Sequence, residues 1–177
     1  PLIDKNQEKA IPLATEIINS FEKKYEEKWL KMMRHKLGLF GTEEKDKFLI
    51  LDLLTWMHQK KVDYTNTFCH LMNKKIKEDK NYEDEDFKNW KKRWNRRLQT
   101  NNNTPEKFIK LMKTVNPLII PRNQKVEEAL QTAENGNLKP TTQLLEILNK
   151  PYTEQEGIYS YQVPSSLNEK YQTFCGT

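Results

Sequence analysis

Two cysteines, Cys69 and Cys175, are the residues of this chain best suited to redox chemistry. Cys175 is third from the carboxyl end, in a polar run where a thiol has no core to fill and lies open to solvent and oxidants. We therefore take Cys175 as a redox candidate. Two cysteines are too few for a disulfide scaffold or a zinc cage, and a reducing compartment is expected.

Three histidines, His35, His58 and His70, are the other obvious candidates for metal or acid–base chemistry. They fall on three different predicted helices, and none has a histidine partner four residues away, so no metal site is predicted. Asp63, before an apolar helical pattern, is interpreted as a helix cap in preference to a catalytic acid. Arg122 and Asn123 are expected to hold a loop in place, and anion binding at exposed amides is the alternative.

Nucleotide-binding signatures are absent from the sequence. The five glycines, at positions 38, 41, 136, 157 and 176, are too far apart to form a phosphate-binding loop. No HRD-type or DFG-type motif is present to hold a base and magnesium. We therefore predict no catalytic residue, no cofactor-binding residue and no metal ligand in these 177 residues.

A basic cluster between Lys88 and Arg97 is the main feature of a chain with net charge +5 and pI near 9.0. At 100° per residue, Phe87, Trp90, Trp94 and Leu98 form one stripe, and the basic residues are expected to cover the remaining circumference. The tryptophans are thus predicted to be core contacts and the basic residues a solvated face. The alternative is a free-standing basic helical module that binds nucleic acid or an acidic protein partner.

The hydrophobic periodicity is helical almost throughout and predicts an all-α fold, an irregular bundle of about seven helices. Residues 1–151 are assigned to this helical domain. The first helix is long and ends at Gly38, the second is capped by Thr42, and the third is capped by Asp63. Acidic residues at 83–86 lie in the first turn of a helix over 84–99, where the positive end of the macrodipole favours them.

The second half of the chain contains prolines that divide it into shorter elements. Thr104 and Pro105 start a helix, and Pro117 and Pro121 bracket an extended apolar segment that is expected to plug the core. Asn123 is predicted to cap the next helix, which ends at Gly136. A last helix with inner-face residues 144, 145, 147 and 148 stops before Pro151.

Residues 152–177 lack helical periodicity and are predicted to form an irregular, extended tail that carries Cys175. Tyr159, Tyr161 and Val163 are expected to attach it to the bundle. With 36% hydrophobic residues and no apolar run near the ~20 residues of a membrane helix, the chain is expected to be a soluble domain without a secretion leader. Its start at Pro1, without an initiator methionine, is compatible with an excised fragment or a processed protein.

Three segments carry a family resemblance: Asn116–Asn123 with the helix start Lys125–Leu130, then Met33–Leu39, and Val62–Phe68. Together they resemble the carboxyl-terminal region of the selenoprotein O family, which are pseudokinase-fold protein adenylyltransferases. The resemblance implies a longer protein that transfers AMP from ATP to Ser, Thr or Tyr of protein substrates with Mg²⁺ or Mn²⁺. It also implies that the upstream kinase-like catalytic domain of the same chain is the partner of this region.

The same resemblance gives Cys175 a more specific role. Its position holds selenocysteine or cysteine in that family, and can form a redox-sensitive disulfide with a cysteine in the catalytic part. Gly176 and Thr177 depart from the two serines with which many members of that family end. The expected location is cytoplasmic if bacterial and mitochondrial if eukaryotic, and the 177 residues alone are expected to be inert.

Overall fold

The computed structural model describes residues 4, 6–74, 80–100 and 103–164. Every regular element in these ranges is helical. The order is α1 (Gln7–Lys36), α2 (Asp46–Lys60), α3 (Tyr64–Leu71), a short 3₁₀ helix (Lys80–Glu83), α4 (Glu85–Gln99), α5 (Pro105–Lys113), α6 (Asn123–Glu134), α7 (Lys139–Leu148) and α8 (Tyr159–Gln162). The all-α prediction is confirmed, with seven substantial helices and one single turn.

The end of α1 passes closely against α5. Gly38 adopts φ +69°, as predicted for the residue that ends this helix. A Cβ atom at this position would lie 3.0 Å from both Cβ and the carbonyl oxygen of Phe108. Glycine is therefore required here by backbone conformation and by space.

Two predicted caps are wrong. Helix α2 begins at Asp46, and not near Thr42, because the Asp46 carboxylate accepts the Glu43 amide at 3.0 Å and holds residues 43–46 in a turn. Asn123 is the first residue of α6, and its predecessor Arg122 occupies the cap position without a side-chain cap hydrogen bond. The predicted cap at Asp63 is formed, and Pro105 is the first residue of α5. Helix α4 begins at Glu85, one residue later than predicted, because Asp84 is its cap.

One core joins the carboxyl end of α1 with α2, α3, α4 and α5. Its fully buried members include Leu37, Ile50, Leu53, Phe68, Phe87 and Met112. The proline-bracketed segment contributes as predicted, since Leu118 and Ile119 are buried. The Leu118 amide donates to the Pro151 carbonyl at 2.7 Å, so the chain after α7 returns to this segment.

Residues 152–164 are less irregular than predicted, because α8 forms one helical turn within them. Gln162 is buried and its side chain donates to the Leu118 carbonyl at 2.8 Å, while Ile158 packs against the core. Tyr159 is exposed, so this predicted contact residue is replaced by Ile158 and Gln162. The domain division at residue 151 stays a prediction, and residues 165–177 lie outside the described ranges.

Within the described ranges, no helix combines the length and the apolar character that a bilayer crossing demands.

Candidate functional site

The three segments that carry the family resemblance meet in space. The end of α1, the start of α3 and the loop before α6 converge although they are far apart in the sequence. The contacting pair Met33 and Tyr64 spans 31 positions, and the pair Lys36 and Asn116 spans 80. The Asn116 side chain donates to the Lys36 carbonyl at 2.9 Å, and Lys36 Nζ donates to Asn116 Oδ1 at 3.0 Å. We call this meeting point the three-segment junction, and it is the candidate functional site of the described chain.

An ion pair between Asp63 and Arg122 fixes one side of the junction. Asp63 accepts the Asn66 amide at 2.8 Å, which confirms that it caps α3. Its carboxylate also receives Arg122 Nη1 at 2.9 Å and Nη2 at 3.1 Å, a bidentate pair with side-chain exposures of 20% and 10%. Bidentate hydrogen bonds between an arginine and a carboxylate are strong and directional. Arg122 therefore ties the loop to α3, as the preferred interpretation of the sequence expected.

Lys36 occupies the centre of the junction. Its ammonium group lies 4.7 Å from the Phe68 ring centroid and 5.2 Å from that of Tyr64, in the range of cation–π attraction. Burial lowers the pKa of Lys36, although the negative potential of Cys69 acts in the opposite direction. Burial also raises the pKa of Tyr64, whose hydroxyl donates to Met33 Sδ at 3.6 Å.

A cavity of about 260 Å³ opens beside this lysine. It is lined by Lys36, Tyr64, Thr65, Phe68, Asn116, Pro117 and Ile120. Ligand pockets generally exceed ~300 Å³. The cavity therefore fits a small group at most, and the polar contacts around it serve to lock three elements together.

Cys69 belongs to α3 and is fully buried. Its thiol donates to the Pro117 carbonyl at 3.7 Å. Burial, reinforced by the charge of Asp63, raises the pKa of Cys69 to about 11. At 100° per residue Cys69 lies off the face of α3 that carries Tyr64, Phe68 and Leu71. Most of the circumference of α3 is nevertheless buried, so this thiol is a core residue.

We predict that Cys69 alkylates on the order of 100-fold more slowly than a model thiol at about pH 8, because a pKa near 11 leaves little thiolate and the sulfur is buried. Iodoacetamide labelling followed by peptide mass spectrometry measures the rate. The matched control is the same protein in urea, where Cys69 should react as fast as a free thiol. Equal rates in both conditions would contradict the buried position.

The other candidate residues do not converge. Cys175 lies outside the described residues, so its redox role stays a prediction. His70 stacks on the Tyr82 ring with centroids 3.9 Å apart, while His35 and His58 belong to α1 and α2. Across the described ranges, no three His, Cys, Asp or Glu side chains come together as metal ligands.

A buried carboxylate that sequence reasoning missed joins α1, α2 and α4. The Asp46 side chain is fully buried and receives Arg34 Nε at 2.8 Å and Arg97 Nε at 2.7 Å. Arg97 Nη2 also donates to the Phe40 carbonyl at 3.0 Å. Burial disfavours ionisation, but hydrogen bonds from Arg97, the Glu43 amide and Arg34 outweigh it, and the pKa of Asp46 is lowered. We call this group the Asp46 network.

The Asp46 network corrects one prediction. Arg97 belongs to the basic cluster but is 7% exposed, so it is not part of a solvated face. The sequence contained a signal that Arg97 is buried, because at 100° per residue it lies within about 20° of Trp90 on the helical circumference. A charged residue inside an apolar stripe requires a buried partner of opposite charge, and the sequence did not say which acid that was.

The rest of α4 agrees with the prediction. Trp90 and Trp94 are buried, and their indole nitrogens donate to the carbonyls of Leu49 and Leu37, each at 2.8 Å. Arg93 pairs with Asp52 at 2.7 Å, and both side chains are about half exposed. The tryptophans are thus turned away from any ligand on the basic face.

Comparison with known proteins finds the sequence of this chain similar to one part of several protein nucleotidyltransferases. The protein nucleotidyltransferase YdiU of Pelagibacter ubique is 51% identical over 178 residues, which cover 100% of this chain and 37% of that relative. The YdiU proteins of Alcanivorax borkumensis and Bacillus cereus are 44% and 43% identical, cover 99% and 100% of this chain, and are each matched over 37% of their length.

The family itself follows from a second comparison. The sequence profile described as "Protein adenylyltransferase SelO" matches residues 7–149. The chain belongs to this SelO family, as the three segments indicated. It spans little more than a third of the length of the curated bacterial relatives that it matches.

Proposed function

We propose that these 177 residues form the carboxyl-terminal helical region of a longer, pseudokinase-fold protein adenylyltransferase. The observation that carries the proposal is 51% identity along the whole chain to a nucleotidyltransferase of which only 37% is matched. The longer protein transfers AMP from ATP to Ser, Thr or Tyr hydroxyls of protein substrates. A cytoplasmic location belongs to the same proposal.

ATP and its Mg²⁺ or Mn²⁺ bind outside these residues in this proposal. The sequence supports that assignment, since it lacks a glycine-rich loop and HRD-type or DFG-type motifs. The role of this region is then to pack on the kinase-like part and to carry the redox thiol.

We expect the full-length protein to transfer label from α-labelled ATP to a protein acceptor with magnesium or manganese, and the 177-residue chain to transfer nothing. ATP should also leave the melting temperature of the 177-residue chain unchanged. Labelling on a gel and thermal unfolding measure the two effects. Robust self-labelling of the short chain would contradict the assignment of catalysis to the missing part.

The redox role of Cys175 gives a separate prediction. In the full-length protein, mild peroxide should oxidise the Cys175 thiol and a thiol outside these 177 residues to one disulfide, lower AMP transfer, and be reversed by dithiothreitol. The buried Cys69 is poorly placed to be the partner. Peptide mapping checks this, with Cys175→Ser as the control that should keep activity under peroxide. A Cys69–Cys175 bridge, or no bridge, would remove the switch.

The structure gives no observation that favours the alternative of a free-standing nucleic-acid module. Base stacking on aromatic side chains is a main source of affinity for single strands. On α4 the two tryptophans that could provide it are buried.

A further inference from the structure

Most of the length of α1 presents a row of large apolar side chains to solvent. Their exposed fractions run from 47% to 71%, whereas those of the buried core hydrophobics run from 0% to 8%. The row consists of Ile11, Ile17, Ile18, Phe21, Tyr25 and Met32. We call it the α1 stripe.

The α1 stripe is a distinct face and not the frayed edge of the core. At 100° per residue its members fall within about 120° of the helix circumference, and the row from Ile11 to Met32 is about 32 Å long. Met33 and Leu37, which are buried in the bundle, point to a neighbouring sector. The rings of Phe21 and Tyr25 stack on each other with centroids 6.0 Å apart, without cover from the rest of the bundle.

A surface of this kind is unusual on a domain that functions alone. Single exposed apolar residues are common, but a contiguous patch of several hundred Å² marks an interaction site. The spacing also specifies the shape of the occupant. Ile11, Ile18, Tyr25 and Met32 recur every seven residues with Phe21 between them, which is the seam of helix-on-helix packing.

We propose that the α1 stripe is the seam on which an apolar helical surface of the remaining part of the longer polypeptide packs. The inference rests on the proposed function, in which the chain is a region of a larger protein. About three-fifths of the length of each matched relative lies outside the matched region, which is ample chain to supply such a surface. The stripe thereby fixes the orientation in which this helical region packs against the catalytic part.

The sequence of the stripe disfavours a second copy as the occupant. Lys28 takes one of the inner positions of the seven-residue pattern, between Tyr25 and Met32. In a parallel, in-register pair, Lys28 would face Lys28 of the copy, and two like charges at a seam destabilise it. A different helical surface can place an acidic side chain beside the Lys28 ammonium group, or can leave that group in contact with water.

The test measures thiol accessibility in the full-length protein. Ile18→Cys and Tyr25→Cys, made separately, place a thiol in the stripe, and Lys23→Cys places one on the exposed, opposite side of the same helix. Each site is read by mass spectrometry of its own peptide. We expect the stripe thiols to alkylate at least about 10-fold more slowly than the Lys23→Cys thiol in the folded protein, and at the same rate in urea.

Two outcomes overturn the proposal. Equal reaction at all three sites in the folded, monomeric protein would show that nothing covers the stripe. Protection that disappears on dilution, together with a dimer in sedimentation, would assign the stripe to a second copy. AMP transfer is measured separately from thiol accessibility. If the protein transfers AMP but the stripe is accessible, only this inference is refuted. If the stripe is covered but the protein does not transfer AMP, only the proposed activity is refuted.

A second measurement covers the case in which a cysteine variant does not fold. Hydroxyl-radical footprinting of the unsubstituted full-length protein reports on Phe21, Tyr25 and Met32 directly. These side chains should be oxidised much less in the folded than in the urea-unfolded protein. Similar oxidation in both states would overturn the proposal.

Discussion

Replacing Asp46 by asparagine is expected to lower the free energy of unfolding by about 3 to 5 kcal/mol, the usual cost of removing one partner from a buried ion pair. The carboxylate is fully buried and compensates two guanidinium groups, those of Arg34 and Arg97, which are 14% and 7% exposed. Asparagine keeps the shape but removes the charge. Urea denaturation of the 177-residue chain, followed by circular dichroism, measures the loss.

Asp52→Asn is the matched control, because Asp52 pairs with Arg93 at the same distance of 2.7 Å but at the surface, where both side chains are about half exposed. An exposed pair contributes ~0 to 1 kcal/mol. If Asp46→Asn proved as mild as Asp52→Asn, the Asp46 network would not be the structural link between α1, α2 and α4 that its geometry indicates.

The Asp46 network also predicts how stability depends on pH. Because the pKa of Asp46 is lowered in the folded protein, its contribution is complete above the ordinary aspartate value of ~3.9. The contribution is lost as the pH falls from there through the lower, folded-state pKa. The difference in unfolding free energy between the wild type and Asp46→Asn should therefore shrink on acidification. A difference that stays constant down to about pH 2 would contradict the assignment.

Trp94→Ala is the second substitution with a large expected effect, a loss of about 3 to 5 kcal/mol of unfolding free energy. The indole is 4% exposed, stacks near Trp90 with ring centroids 5.8 Å apart, and donates its N–H to the Leu37 carbonyl. Alanine would leave a cavity and an unpaired carbonyl where α1 ends. Thermal or urea unfolding gives the magnitude.

The control for Trp94→Ala is the double substitution of Lys92 and Arg96 by alanine, which should stay within about 0.5 kcal/mol per site because both side chains are exposed. The same double variant tests the alternative function. Tight binding of a duplex or a single strand at ~150 mM salt, abolished by this charge change, would establish a nucleic-acid module and displace the proposed one.

The helices could be predicted because their signals are local. Each signal acts within one or two helical turns. These signals are the recurrence of apolar residues every three to four positions, an aspartate before α3 and α4, a proline at the start of α5 and a glycine after α1. The wrong caps at Thr42 and Asn123 arose where another side-chain contact organised the residues before the helix. Before α2, the Asp46 carboxylate accepts a hydrogen bond from the Glu43 amide and stabilises the turn. Before α6, Arg122 forms an ion pair with Asp63.

The candidate site was only partly visible in the sequence. The segments of the junction were recognised through the family resemblance, yet nothing in their residues says that Lys36 meets Asn116 or that Arg122 meets Asp63. Such pairs join positions 59 and 80 residues apart. Their hydrogen bonds form only after the helices have packed, so no local pattern encodes them.

By itself, then, the sequence determined the all-α class, the helix periodicity, the inward-facing tryptophans of α4 and membership of the family. Only the tertiary structure decided which charges are buried and which apolar residues are not. Arg97 is enclosed because Asp46 is available to neutralise it, whereas Phe21 and Tyr25 stay exposed because α1 extends past the bundle. Helical periodicity reports that a face is apolar, but burial depends on whether another surface lies opposite, and only the packed structure contains that information.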